Sequence, residues 1–153
     1  MIRDATRDDI VDVINLAHQY LDLAIDGYKL DKAIWITNVL SWLGEAEANR
    51  AIFKVAYGGG DIQGFMIGLP AQWHYSDDTY LDIKELFVDE SLPKITKAKL
   101  VIEFTQHAEE AAKKEGLKGL SVFSIRDNSQ SYANFFVNKM GFTKATGAKR
   151  IFT

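Results

Sequence analysis

The apolar residues of this chain recur at two spacings, which predict helices and strands in alternation. Four stretches carry apolar residues three or four positions apart, the spacing of a helix face; they lie at about 7–23, at about 31–43, after the basic turn 93–99 and at about 129–139. Shorter apolar runs between turn residues predict strands; they lie at 2–5, 51–57, 62–69, about 80–88, 120–125 and in a closing hairpin over 142–152. The mixed order predicts the α/β class, in its α+β form.

Capping and turn residues mark the ends of several elements. Thr6 and Asp9 have the spacing of a capping box at the start of the first helix. Gly44 and Gly116 predict the ends of the second and third helices. The triple glycine 58–60 precedes a strand rather than a helix, so it predicts a hairpin turn and not a phosphate-binding loop.

The second predicted helix is apolar on more than one side. Its apolar residues are Ala33, Ile34, Trp35, Ile36, Val39, Leu40, Trp42 and Leu43. A helix that is apolar all round is usually buried on two sides, so the simplest interpretation is a core helix. Two sharper interpretations stay open: one face lines an acceptor site, or it forms a homodimer contact.

Composition narrows the class of protein. The 153 residues are 47% apolar and 25% charged, as in ordinary globular chains, and the length predicts one domain spanning 1–153. The net charge of −3 does not indicate a nucleic-acid partner, and the absence of cysteine excludes thiolate ligands and a thiol nucleophile. No apolar run approaches the roughly 20 residues of a membrane span, and Met1–Thr6 lacks the apolar region of a signal peptide. We therefore expect a cytoplasmic protein with no membrane partner.

One predicted helix begins with positive charges, which are unfavourable at a helix N-terminus and indicate an anionic ligand. The apolar strand Leu81–Val88 is followed by the basic turn Pro93–Lys99, which opens a helix. The turn carries three lysines, Lys94, Lys97 and Lys99. Exposed cations at a helix N-terminus oppose the helix dipole by roughly 0.3–1 kcal/mol each, and a bound anion would reverse that effect. The backbone N–H groups of Ile95–Lys99 are predicted to form a phosphate cradle; the alternative is a solvated basic turn.

Four motifs follow one another along the chain. They are Ile2-Arg3-x-Ala5-Thr6-x-x-Asp9, Ile62-Gln63-Gly64-Phe65, Glu85-Leu86-Phe87-Val88 and Ala133-Asn134-Phe135-Phe136-Val137-Asn138-Lys139-Met140-Gly141-Phe142. In this order they resemble the opening, the third strand, the cofactor motif and the closing motif of the GNAT superfamily of acyl-CoA-dependent N-acetyltransferases. The resemblance covers nearly the whole length.

The resemblance implies a mixed, mostly antiparallel sheet of about seven strands flanked by about four helices, with the fourth and fifth strands splayed apart. It implies that acetyl-CoA lies in that gap and that its acetyl group passes directly to a primary amine on a small molecule or a protein. Main-chain groups of Phe87 and Val88 would line the pantetheine arm, and Asn128 would lie near the cofactor. The turn residues around the diphosphate would be Lys94, Ile95, Thr96, Lys97, Ala98 and Lys99.

Two positions depart from the family pattern. Thr96 stands where the diphosphate turn usually has glycine, and only Ala98 keeps the pattern. Val137 stands where the closing motif usually has the tyrosine that protonates the leaving thiolate, and valine donates no proton. These departures leave a second hypothesis open, a catalytically inactive GNAT-fold protein that acts as a binding or inhibitor module. Small divergent members of this kind occur in bacteriophage genomes, which leaves a phage origin and the host cytoplasm open as well.

Two residues are candidates for the base that deprotonates the amine. Glu85 lies mid-strand, in line with Ile83 and Phe87, and a carboxylate among apolar neighbours is costly unless it is paired or functional. The resemblance places the family's occasional base near it; a salt bridge or an exposed sheet edge is the structural alternative. His74 is the second candidate, because an imidazole accepts a proton near neutral pH.

The polar loop around His74 bears on the acceptor. Asp77 and Asp78 favour a cationic amine by charge, although a solvated loop is the simpler interpretation. The three histidines of the chain are dispersed and form no metal-binding motif, so no metal is expected.

Overall fold

The structure is a computed structural model that describes residues 1–24, 31–122 and 129–144, without the side chains of 19–24, 129, 130 and 132. The strands in these ranges are β1 (Ile2–Asp4), β2 (Ile52–Gly58), β3 (Asp61–Gln72), β4 (Thr79–Val88) and β5 (Leu120–Val122). The helices are α1 (Ile10–Ala24), α2 (Lys32–Glu47), α3 (Lys94–Lys114) and α4 (Ser129–Met140), with a 3₁₀ turn over Arg7–Asp9 before α1. The predicted α+β class is confirmed.

The strands form one sheet in the order β1-β2-β3-β4-β5. The first three pairings are antiparallel, and β4 pairs in parallel with β5. The mixed, mostly antiparallel sheet is therefore as predicted. Of the seven strands predicted, the described residues contain five. The closing hairpin predicted over 142–152 lies outside the described residues from 145 onward.

The sheet separates two apolar cores, because alternate residues of each strand point to opposite faces. Helices α1 and α2 cover one face, here called the first core, whose strand residues are Phe53, Val55, Phe65, Ile67 and Phe87. Helices α3 and α4 cover the other face, here called the second core, whose strand residues are Ala56, Met66, Leu81, Ile83 and Leu86. Apolar residues therefore line both faces of the central strands.

A polar cluster ties the N-terminus to β2. The buried carboxylate of Asp9 accepts two hydrogen bonds from the Arg3 guanidinium, both 2.8 Å long. It also accepts from the Thr6 N–H at 2.8 Å, which confirms that half of the predicted capping box, and from the Tyr57 hydroxyl at 3.0 Å. The same hydroxyl lies 3.0 Å from the carboxylate of Asp12. The opening motif thus meets Tyr57 of β2 around one buried carboxylate, that of Asp9.

The end predicted for α2 at Gly44 is wrong. The helix continues through Gly44 to Glu47, and the left-handed backbone that terminates it belongs to Asn49, with φ of 59°. Asparagine tolerates this conformation because its side chain bonds locally. At α3 the prediction is confirmed: Gly116 has φ of 72° and follows the last turn of the helix.

Strand β3 is longer than predicted and contains Pro70. Pro70 pairs with Leu81 of β4, but β2 has already ended, because its last pairing is Ile52 with Gly68. Since the Leu81 N–H donates to Gly119 on the β5 side, the position of the missing Pro70 N–H faces the side that β2 has left. The proline therefore removes no ladder bond.

None of the helices in the described parts of the chain combines the length and apolar character that a membrane crossing requires.

Candidate active site

The connection from β4 to α3 is a tight, hydrogen-bonded turn. The Asp89 carboxylate accepts from both the N–H and the hydroxyl of Ser91 at 2.9 Å, and the Leu92 N–H donates to the Asp89 carbonyl at 3.2 Å. Asp89 itself is anchored to β3 through its N–H, which donates to the Gln63 carbonyl at 2.9 Å. The turn therefore fixes where α3 begins relative to the end of β4.

The N-terminus of α3 has no capping side chain at its N-cap residue. That residue is Pro93, and the first turn contains no acidic residue. The first N–H groups of a helix have no partner within it, so those of Lys94, Ile95 and Thr96 are not used by α3 itself. The Lys97 N–H donates to the Pro93 carbonyl at 3.0 Å. The predicted cradle of Ile95–Lys99 is therefore wrong in extent, because from Lys97 onward the amides serve the helix.

The side chains around this helix start are basic and solvent-facing. Lys94 and Lys99 are exposed, and Ile95 is 71% exposed. Lys97 is half-buried and forms an ion pair with Glu90 at 2.9 Å. In the described parts of the chain, Lys94 and Lys99 form no ion pair, so they contribute positive potential beside the free amides. Ala98 is half-buried on the next turn.

The register of β4 decides which of its backbone groups face away from β3. Because Asp89 donates to Gln63, the alternation of an antiparallel ladder directs the N–H and C=O of Phe87 toward β3. Those of Leu86 and Val88 point to the opposite side. The main chain of Phe87 therefore bonds to β3, which does not fit its predicted place in the pantetheine lining, whereas the contact at Val88 stays a prediction. The main-chain groups of Leu86 lie on the same side as those of Val88. The Phe87 side chain packs in the first core, stacked on Phe65 at 5.1 Å.

The described part of β5 pairs with only three residues of β4. The two strands pair over Leu81–Ile83 and Leu120–Val122. Strand β4 continues to Val88, beside the N-terminus of α3, whereas the described part of β5 ends at Val122. The predicted cofactor contact Asn128 lies outside the described residues.

A β-bulge changes the face of the sheet on which Glu85 lies. Ile67 pairs with Glu85 and Gly68 pairs with Ile83, so Lys84 is an extra residue in β4. The bulge reverses the alternation, and Glu85 lies on the face of the first core with Phe87, while Ile83 belongs to the second core. The predicted alignment of Glu85 with both neighbours is wrong for Ile83. Glu85 is half-buried, three residues before the end of β4.

The structure does not bring His74 to Glu85. His74 is exposed in the loop between β3 and β4, where the neighbouring Trp73 stacks on Tyr80 at 5.2 Å. Tyr80 and Glu85 are five positions apart on β4, roughly 15 Å at the rise of a strand. Geometry therefore separates the two candidate bases, and Glu85 is the one closer along β4 to the connection that leads into α3.

The closing motif builds the end of α4. Gly141 has φ of 71°, and the Phe142 N–H donates back to the Phe136 carbonyl at 3.2 Å. Phe136 is buried in the second core and packs edge-on against Phe142 at 5.2 Å. Val137 is half-buried beside it and supplies no acidic proton.

Among the described residues, no three His, Asp or Glu side chains come together in a group that could hold a metal ion.

Comparisons with known proteins identify the fold. No protein-family model matches the chain, and no curated protein matches it. It is similar to the apo structure of the aminoglycoside antibiotic 6'-N-acetyltransferase AAC(6')-IG from Acinetobacter haemolyticus, with 15% identity, 100% of this chain and 97% of that chain covered, and a TM-score of 0.73.

Two further structures contain cofactor or an analogue. One is described as a predicted acetyltransferase with acetyl-CoA from Clostridium acetobutylicum, at 12% identity, 99% and 94% coverage and a TM-score of 0.73. The other is AAC(6')-Iy in complex with the bisubstrate analogue CoA-S-monomethyl-acetylneamine, at 14% identity, 100% and 98% coverage and a TM-score of 0.70. These three structural neighbours are GNAT-fold acetyltransferases, and the chain has their fold. A phage origin stays a prediction.

Proposed function

We propose that this protein transfers an acetyl group from acetyl-CoA to a primary amine. The observation that carries the proposal is the basic N-terminus of α3, which has proline as its N-cap residue and no acidic residue in its first turn. In the reaction, the amine nitrogen attacks the thioester carbonyl, an N–C bond forms and the C–S bond breaks. The amine loses a proton, and coenzyme A leaves as a thiolate that is then protonated.

The cofactor would bind along β4 and against α3. The N–H groups of Lys94, Ile95 and Thr96 would hold the diphosphate, with Lys94 and Lys99 adding positive charge. The β-branched Thr96 narrows the approach that glycine would permit, but the donors are main-chain groups and remain present. Splayed ends of β4 and β5 would admit the pantetheine arm, which would bond the main chain of Val88 and its neighbour.

Glu85 would act as the base, directly or through a water molecule. Its half-buried position on the bulged strand suits proton transfer, which contributes typically 10²–10⁴-fold to a rate. His74 is too far along the strand for the same role. Because Val137 cannot protonate the thiolate, we propose that water does so.

A homodimer formed through the exposed Ile34, Ile36 and Leu40 of α2 stays a prediction that size-exclusion chromatography tests.

The primary test measures binding and thiol release separately. Calorimetry with acetyl-CoA tests the cofactor site, and a thiol reagent then follows coenzyme A release in the presence of primary amines. The chain contains no cysteine, so the reagent reports released coenzyme A without a protein background. Binding without release from any amine would indicate a binding protein instead, and absence of binding at millimolar acetyl-CoA would contradict the proposal.

Substitution of Glu85 by glutamine tests the proposed base. We expect Glu85→Gln to lower kcat by about 10²-fold or more, because the amide accepts no proton, while the Kd for acetyl-CoA stays unchanged. Glu110→Gln, an exposed carboxylate on α3, is the matched control and should retain full activity. Equal rates for Glu85→Gln and the control would exclude Glu85 as the base.

A further inference from the structure

The loop between β3 and β4 exposes a stack of aromatic rings. Trp73 stacks on Tyr80 at 5.2 Å and lies nearly parallel to Tyr75 at 6.4 Å. Trp73 is 54% exposed and Tyr75 is 86% exposed. Large aromatic side chains grouped on a surface indicate a site of interaction.

The stack borders an open cavity of about 360 Å³. Its lining residues are Gln72, Trp73, His74, Tyr75, Ser76 and Asp77. None of these six is a lysine or an arginine, and Asp77 supplies a carboxylate. Aromatic faces and a carboxylate, without a competing cation, are the chemistry that recognises an ammonium group.

The cavity and Glu85 lie on the same face of the sheet. Asp82 faces away from the second core, because its carboxylate accepts from the Ser121 hydroxyl at 2.8 Å while Leu81 and Ile83 point into that core. Tyr80, two residues earlier, shares the face of Asp82. The bulge brings Glu85 to that face as well, so these three residues form a strip about 15 Å long. The strip therefore runs from the cavity, which Asp77 helps to line, to Glu85, and between these ends Asp82 forms an ion pair with Lys84 at 2.7 Å.

We propose that the acceptor is an elongated polycationic amine that binds along this strip. Its reacting amine lies at Glu85, and a distant ammonium group lies against the Tyr75 ring beside Asp77. The reacting end rests on the proposed function; the aromatic end is a binding site in its own right. A long polyamine spans the strip, whereas a short diamine reaches only one end.

Two amines with the same reacting end test the proposal. Spermine and 1,3-diaminopropane both present a primary amine on a three-carbon chain, but only spermine carries distant ammonium groups. We expect a lower KM for spermine. Tyr75→Ala should raise the KM for spermine about fivefold, in line with an exposed cation–π contact, with kcat and the KM for 1,3-diaminopropane unchanged. Tyr75→Phe keeps the ring and should behave as wild type, as should the exposed control Val11→Ala.

Calorimetry of spermine without acetyl-CoA separates the two proposals. If spermine binds, Tyr75→Ala weakens binding and no coenzyme A is released, the aromatic site stands and the transfer function fails. If transfer occurs with equal KM for both amines, the function stands and the aromatic site is overturned. Equal spermine affinity in wild type and Tyr75→Ala, or no spermine binding at millimolar concentration, also overturns the site.

Discussion

The buried carboxylate of Asp9 is held charged by its neighbours. The hydrogen bonds from Arg3 are the main cause that holds its pKa well below the usual range, with further contributions from Thr6 and Tyr57. Burial and the two nearby carboxylates in turn raise the pKa of Tyr57, so its hydroxyl keeps its proton and donates it. At this scale one side chain couples β1, α1 and β2.

We expect Asp9→Asn to destabilise the protein by about 2–3 kcal/mol at pH 7, because it removes charge-assisted hydrogen bonds and leaves the guanidinium without its partner. The folded-state pKa lies below the unfolded-state value of about 4. The stabilisation from Asp9 is therefore present above that pH and is lost as the pH falls below it. Urea unfolding of both proteins between pH 7 and pH 3 measures the difference, which should shrink on acidification.

The adjacent exposed Asp8 offers the matched control. Asp8→Asn changes the net charge equally but breaks none of the bonds around Asp9. It should change the free energy of unfolding by less than about 0.5 kcal/mol. A difference between wild type and Asp9→Asn that stays constant down to pH 3 would mean that Asp9 acts only through packing.

Residue-scale inference from sequence was sound where partners are close in the chain. Thr6 and Asp9 were identified from their spacing, whereas the bond from Tyr57 was not, because its hydroxyl reaches Asp9 across 48 positions. The face of the sheet on which Glu85 lies was predicted wrongly, for a similar reason. The extra residue at Lys84 is a property of pairing between strands, and the sequence of β4 alone carries no mark of it.

Among the elements, α3 has an unfavourable charge distribution at its N-terminus, where its first N–H groups have no partner within the helix. Two exposed lysines near its N-terminus oppose the helix dipole, whereas Lys113 and Lys114 at its C-terminus complement it. The arrangement at the start of the helix is explained if an anion occupies it. Stability and binding should then respond to the same substitutions in opposite directions.

We expect the double variant Lys94→Gln and Lys99→Gln to raise the Kd for acetyl-CoA about tenfold, because two positive charges beside the diphosphate are lost. The same variant without ligand should be more stable by about 0.5 kcal/mol, since the repulsion with the dipole is relieved. Calorimetry and urea unfolding measure the two effects.

Lys113→Gln with Lys114→Gln is the control on the same helix. It removes the same charge at the opposite end, so acetyl-CoA binding should be unchanged and stability should fall slightly. If both double variants weaken binding equally, general electrostatic attraction explains the effect and the helix start is not the site.

Element types were predictable and element ends less so. The helical and strand spacings identified every element of the described ranges, because burial imposes a period on the sequence. The second helix was predicted to end at Gly44, and the strand over 62–69 was predicted to end just before Pro70. Both lie inside elements, Pro70 because a neighbouring strand ends beside it and Gly44 because Asn49 supplies the left-handed turn. Tertiary context overrode propensity in each case.

At the scale of the whole molecule, the sheet must hold α3 against β4 for the site to exist. Gly64 of β3 makes this possible. A Cβ atom there would lie 2.6 Å from the Phe87 carbonyl oxygen and 3.1 Å from a ring carbon of Phe104, a buried residue of α3. The absence of a side chain thus permits the close approach of helix and sheet, and it explains why glycine stands in the motif Ile62-Gln63-Gly64-Phe65.

Replacement of Gly64 by alanine should therefore affect stability and cofactor binding together. The carbonyl is part of a strand and cannot move aside freely, so we expect Gly64→Ala to cost about 2 kcal/mol in free energy of unfolding, as overpacking does. The displaced α3 should also raise the Kd for acetyl-CoA. Gly44→Ala is the matched control: no atom lies within 4 Å of its added Cβ, and alanine in a helix interior should stabilise by up to about 1 kcal/mol. Urea unfolding and calorimetry of both variants would contradict this account if Gly64→Ala lost stability but bound acetyl-CoA as tightly as wild type, because the position of α3 would then not depend on that contact.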